Sequence, residues 1–146
     1  MKNIIMILFA GLTSLTSCNQ EKNHQDQELV RAVFDPGNLK FISTSLNPKK
    51  ETMSALYGNE KAVESLSKET GKPEEGTLMK LVTWRYHDNP QYFGGKITGE
   101  LVSIETVQTD SKGNTTYNIE DDVKNTVPDK EERIQYFMSY HPVSRP

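Results

Sequence analysis

The chain has 146 residues, of which 34% are hydrophobic and 25% charged, and its formal net charge is −3. This length suits one small domain. The mild acidity disfavours nucleic acid as a partner, because phosphate backbones are bound by basic surfaces. Cys18 is the only cysteine, which excludes a disulfide within the chain and also excludes haem attachment through paired cysteines.

The N-terminal segment has the layout of a secretory signal. Lys2 precedes an apolar run that ends at Leu12, and Leu15-Thr16-Ser17-Cys18 matches the bacterial lipobox. The run is shorter than the roughly 20 apolar residues of a membrane-spanning helix. Two other interpretations of this segment are a membrane-spanning anchor, and an ordinary signal-peptide cleavage site at which Cys18 is an incidental thiol. The sequence favours a lipoprotein signal peptide over residues 1–17 and lipidation of Cys18, with palmitate among the acyl chains, on an exported bacterial envelope protein.

The segment after Cys18 is polar. Residues 19–28 contain no apolar side chain, so they have nothing to bury and are predicted to form a solvated tether. Residues 18–28 are therefore the lipidated cysteine with its tether, and residues 29–146 are the domain.

The first half of the domain predicts a hairpin followed by a helix. Residues 39–46 and 52–57 are rich in residues that favour strands, and Asn47-Pro48 between them favours a turn. Asn59 is a suitable N-cap for a helix that runs to about Thr70. Gly71 then supplies a residue that commonly ends helices.

The second half predicts a longer strand and another hairpin. Residues 77–86 form the longest strand candidate, and residues 87–99 are predicted to be a glycine-containing loop. Strands over 100–109 and 115–119 flank a turn. Residues 133–140 suit either a final strand or a short helix. The predicted fold class is therefore α+β, with an antiparallel sheet of about five strands and one or two flanking helices.

A cluster of aromatic residues is the candidate ligand-binding site. The cluster lies at a strand end and in the following glycine loop, where flat rings could wall a ligand. The alternative is that the rings plug one end of the sheet, and that the neighbouring histidine is an ordinary loop residue. No catalytic residue and no metal ligand is predicted. The candidate ligand-binding residues are Trp84, Tyr86, His87, Tyr92 and Phe93.

An ordered series of short segments between residues 41 and 107 resembles the cytochrome P-460-like domain, in a branch common among exported bacterial proteins. The resemblance implies a mostly antiparallel fold with flanking helices, often as a homodimer. The segments are Thr52-Met53-Ser54-Ala55-Leu56-Tyr57-Gly58-Asn59, Ala62-Val63, Gly76-Thr77-Leu78, Leu81-Val82-Thr83-Trp84, Asp88, Pro90, Tyr92-Phe93-Gly94, Ile97, Gly99 and Val102-Ser103-Ile104-Glu105.

This sequence differs from the haem-bearing members of that family at one point. Those members carry a Cys-x-x-Cys-His motif near the C-terminus, and residues 133–146 contain no cysteine. The first hypothesis is therefore a membrane-anchored binding module without covalent haem, whose partner is a small molecule. The second is a redox protein that binds haem noncovalently through His87 or His141, in electron transfer or on small nitrogen compounds. The third is a scaffold for an envelope protein.

Overall fold

The computed structural model describes residues 33–68, 70–121 and 129–143. The predicted signal peptide, Cys18 and the tether lie outside the described residues. The predictions about export and lipidation therefore depend on the sequence alone.

The domain is built on a five-stranded antiparallel sheet in which each strand pairs with the next along the chain. One helix connects β2 to β3, and a second follows the sheet. The predicted α+β class with five antiparallel strands is confirmed, as is the second hairpin. The elements are β1 Lys40–Asn47, β2 Thr52–Gly58, α1 Glu60–Ser67, β3 Leu78–Asp88, β4 Lys96–Thr109, β5 Thr115–Asp121 and α2 Lys130–Met138.

The hairpin between β3 and β4 is longer than the sequence predicts. The two strands pair as far as Asp88 and Lys96, so the connecting loop shrinks from residues 87–99 to residues 89–95. An ion pair between these two side chains and the strand-favouring residues Tyr86 and Ile97 outweigh the loop signal from the glycines. His87 therefore lies in a strand, and its predicted loop position is wrong.

The ambiguous C-terminal segment is a helix. The Asp129 side chain accepts a hydrogen bond from the backbone N–H of Glu132 at 2.9 Å, and Glu131 and Glu132 lie in the first turn. Such a cap and acidic first turn favour a helix start. The described part of the domain therefore contains two helices.

Asn59 fixes the passage from β2 into α1. Its Oδ1 accepts hydrogen bonds from the N–H groups of Ala62 at 3.0 Å and Leu78 at 3.2 Å, and its Nδ2 donates to the carbonyl of Gly76 at 2.7 Å. Asn59 is the helix N-cap, as predicted, although α1 ends at Ser67 rather than near Thr70. A Cβ on Gly58 would approach the Ala62 Cβ to 2.6 Å, so a glycine is needed where the helix turns back over the sheet.

The two faces of the sheet are covered differently. Both helices pack on one face, and their apolar side chains join those of the strands in the main core. The opposite face carries a smaller cluster of Ala55, Val82 and Trp84, against which Phe34, Met53, Tyr57 and Ile104 pack. The buried residues of the main core are Ile42, Leu56, Ala62, Leu66, Met79, Leu81, Val107, Ile134, Phe137 and Tyr140.

Candidate functional site

The predicted aromatic cluster is divided between the interior and the surface. Trp84 is buried, with 6% of its surface exposed, and belongs to the small cluster on the face without helices. Tyr86 is half-buried and its ring lies 5.0 Å from the Lys96 Nζ. Tyr92 and Phe93 are exposed. The structure therefore does not gather these four rings around one cavity, and a ligand-binding role for them stays a prediction.

The two histidines of the described domain also lie apart. His87 is half-buried on β3, and its ring lies against the backbone of Gly99, in space that a Cβ on residue 99 would occupy. His141 is exposed and lines a groove of about 280 Å³ together with Ser45, Tyr136 and Tyr140. Haem ligation by either histidine stays a prediction.

A row of four hydroxyl side chains crosses four neighbouring strands on the helix-covered face. The strand register pairs Ser45 with Ser54, Ser54 with Thr83, and Thr83 with Ser103. The Ser54 and Thr83 hydroxyls are 2.8 Å apart and hydrogen-bonded. Ser45 bonds in turn to the Tyr140 hydroxyl at 2.7 Å. We call these four side chains the hydroxyl row.

The hydroxyl row forms the floor of a cavity of about 400 Å³. Arg133 and Tyr136 of α2 form one wall, and the turn between β1 and β2 contributes Lys50 at the other side. The cavity therefore lies between the sheet and α2, where the main core gives way to polar side chains. We call it the hydroxyl groove.

A buried ion pair closes the inner end of the hydroxyl groove. Glu105 is 5% exposed. Arg133 donates from Nε to Glu105 Oε2 at 2.8 Å and from Nη2 to Oε1 at 2.7 Å. Tyr117 donates its hydroxyl to Oε2 at 2.8 Å. The guanidinium carbon of Arg133 lies 4.5 Å from the centre of the Tyr136 ring. This two-point geometry holds the carboxylate and the wall of the groove in fixed positions.

Two tyrosines that bond to residues of the groove, Tyr117 and Tyr140, are held protonated. Burial, together with the hydrogen bond to the Glu105 carboxylate and its negative charge, raises the pKa of Tyr117 to about 12. Burial also raises the pKa of Tyr140. Both phenols therefore act as hydrogen-bond donors or acceptors in their neutral form at physiological pH.

The pKa of Tyr117 predicts a loss of stability in alkali. The folded state holds the phenol proton more tightly than the unfolded chain, whose tyrosines ionise near pH 10. The contribution of Tyr117 to the free energy of unfolding is therefore complete below about pH 10 and is lost as the pH rises towards 12. Urea denaturation across this range is expected to show a shallower alkaline decline for Tyr117→Phe than for the unaltered protein. An equal alkaline decline in the free energy of unfolding of the two proteins would contradict the raised pKa of Tyr117.

The hydroxyl groove was missed in the sequence. Each of its four hydroxyl residues lies in a predicted strand, where serine and threonine attract little notice singly. Ser54 lies two residues from Leu56, and Thr83 two residues from Leu81, so each pair shares one strand face. The sequence therefore does signal a strand face that changes from apolar to polar. Aligning these changes across four strands requires the register, which the sequence does not supply.

No helix in residues 33–68, 70–121 or 129–143 is long and apolar enough to cross a membrane. The same residues contain no group of three or more histidine, cysteine, aspartate or glutamate side chains placed to hold a metal ion. No protein-family model and no curated protein matches the sequence.

Proposed function

We propose that the protein is an exported bacterial envelope lipoprotein whose domain binds a small polar molecule in the hydroxyl groove. The observation that carries the binding proposal is the hydroxyl row, which lies on the floor of a cavity walled by α2. Four hydroxyl groups can each donate or accept, so they suit a ligand with several hydrogen-bonding groups.

Binding is favoured over catalysis because the Glu105 carboxylate of the groove is already held by other side chains. Glu105 receives two hydrogen bonds from Arg133 and one from Tyr117. A carboxylate held in this way supports the groove, whereas a general base must be able to reach a proton of its substrate. The groove thus supplies shape and hydrogen bonds.

The sequence supports the proposed localisation of the protein and its proposed family. The lipobox ending at Cys18 supports export and lipid anchorage to a membrane. The antiparallel sheet with two helices is compatible with the cytochrome P-460-like domain that the sequence resembles. Without a second cysteine the domain would act without covalent haem.

The binding proposal is tested by removing one hydroxyl from the row. Ligand-observed NMR with glucose, glucuronate, glycerol 3-phosphate and glutamate would find a ligand, and titration would give its Kd. Thr83→Val is expected to weaken binding about threefold to tenfold, since one hydrogen bond contributes about 0.5–1.5 kcal/mol. Thr106→Val is the matched control, because Thr106 alternates with Glu105 and so faces the other side of β4. Equal effects of the two variants, or binding of none of the probes, would count against the groove.

The proposed membrane localisation is tested separately in a bacterial host. The unaltered full chain is expected to incorporate labelled palmitate and to sediment with membranes. Cys18→Ser should lose both properties, because the acyl chains supply the membrane affinity. Retention of Cys18→Ser in the membrane fraction would refute anchorage through this residue.

A further inference from the structure

The hairpin of β3 and β4 projects beyond the rest of the described sheet. The last pair between β2 and β3 joins Thr52 to Arg85, whereas β3 and β4 remain paired from Tyr86 through to Asp88. The N–H of Tyr86 still donates to the carbonyl of Glu51 in the turn between β1 and β2 at 3.0 Å. His87 and Asp88 therefore extend the hairpin beyond that turn by about 7 Å at about 3.3 Å per residue. Residues 89–95 form the loop at its end, which we call the ribbon tip.

The ribbon tip has a defined backbone. The N–H of Asn89 donates to the carbonyl of Gly95 at 2.9 Å, and the N–H of Gly95 donates to the carbonyl of Tyr92 at 3.0 Å. Gly94 has a φ of +79°, a left-handed conformation that glycine adopts without strain. The loop therefore holds its side chains in place at the end of the hairpin.

The side chains of the tip are aromatic and uncharged. Phe93 is fully exposed and Tyr92 is 69% exposed. Residues 89–95, Asn-Pro-Gln-Tyr-Phe-Gly-Gly, contain no charged side chain. The residue that precedes the tip in the chain, Asp88, is acidic and is paired with Lys96. An apolar ring beside an amphipathic one, with no unpaired charge to desolvate, suits the boundary between lipid headgroups and acyl chains.

We propose that the ribbon tip inserts Phe93 and Tyr92 into the surface of the membrane to which Cys18 anchors the protein. This inference adds to the proposed lipid anchorage and assumes it. Two rings form a much smaller surface than the roughly 800 Å² per partner of a stable protein interface. A lipid surface is therefore a better match to the tip than a second protein.

The length of the tether permits both attachments at once. The fifteen residues from Cys18 to Val33 can span about 50 Å when extended. The domain begins beside Tyr57, because the rings of Phe34 and Tyr57 are 5.3 Å apart, and Tyr57 pairs with Lys80. From Lys80 to the end of β3 is about 27 Å along the strand. The lipid and the tip can therefore reach the same bilayer.

The experiment places a fluorescent reporter at the tip of the lipidated full-length protein. Phe93→Trp is reconstituted into phosphatidylethanolamine and phosphatidylglycerol vesicles with and without brominated lipid. We expect the added indole to emit at shorter wavelength than in detergent-free buffer and to lose emission to the bromine. Gln108→Trp is the control, since Gln108 is exposed at the opposite end of β4, and its added indole should remain unquenched.

The outcomes separate the two proposals. If Phe93→Trp is membrane-anchored but no more quenched than Gln108→Trp, the insertion of the tip is refuted and the lipid anchor stands. If the added indole is shielded from water in native envelopes but exposed to water in vesicles that contain no other protein, the tip contacts a protein. The lipid proposal is then also refuted. If Cys18→Ser remains on the membrane in the host, the anchorage through Cys18 fails instead.

Discussion

Replacing Arg133 by methionine is expected to lower the free energy of unfolding by about 3 kcal/mol, which is a large share of the stability of a small domain. Methionine keeps much of the side-chain volume but removes the two hydrogen bonds that Arg133 donates to Glu105. The Glu105 carboxylate, with 7% of its side chain exposed, would then keep only the Tyr117 hydroxyl as a partner. The penalty arises from the carboxylate left buried without its counter-charge.

A double variant distinguishes this explanation from lost packing. Glu105→Gln combined with Arg133→Met removes both charges and leaves an amide oxygen that can still accept from Tyr117. At least half of the stability lost in Arg133→Met should return, because the buried charge itself is gone. Urea denaturation of the single and double variants at neutral pH measures both quantities. A double variant no more stable than Arg133→Met would show that the arginine acts through its packing.

Local signals predicted most of the fold. Asn59 predicted its own capping role, because an N-cap depends on only the next few residues. The turn at residues 110–114 was predicted equally well, since Asp110 accepts backbone hydrogen bonds from Lys112 and Asn114 within the turn itself. Whether residues 133–140 form a strand or a helix stayed open, because Ile134, Phe137 and Tyr140 are buried in the main core and that burial depends on distant residues.

The candidate site escaped prediction because it depends on long-range contacts. Glu105 and Arg133 are 28 residues apart, and nothing near either residue identifies its partner. Sequence proximity also misled the prediction of the aromatic site. Trp84 and Phe93 are close along the chain, yet one is buried beneath the face without helices and the other is exposed at the ribbon tip. Neighbours in a strand and its loop need not share a surface.

Helix α2 joins the core to the hydroxyl groove. Arg133 and Phe137 are four residues apart, so they lie on the same side of the helix. Phe137 is fully buried in the main core, while Arg133 holds Glu105 at the inner end of the groove. The packing of Phe137 in the core therefore helps to hold Arg133 in the wall of the groove. Stability and binding are expected to change together when this helix is loosened.

Phe137→Ala is expected to lower the free energy of unfolding by about 3 to 5 kcal/mol, because it removes a fully buried ring and leaves a cavity between α2 and the sheet. The same variant should weaken binding in the groove, since Arg133 and Tyr136 stand on the loosened helix. Tyr136→Phe is the control: its ring remains in the wall, and it loses only the hydroxyl that bonds to Tyr140 at 3.1 Å.

Urea denaturation of Phe137→Ala distinguishes two ways in which the energy could be lost. A lower midpoint with an unchanged m-value indicates that α2 remains docked and unfolds with the sheet. A reduced m-value indicates that the helix has already left the sheet, and the groove should then bind none of its ligand. A stability loss below about 1 kcal/mol would contradict the packing of α2. Unaltered binding in a variant with a reduced m-value would separate the groove from the helix and refute Arg133 as part of its wall.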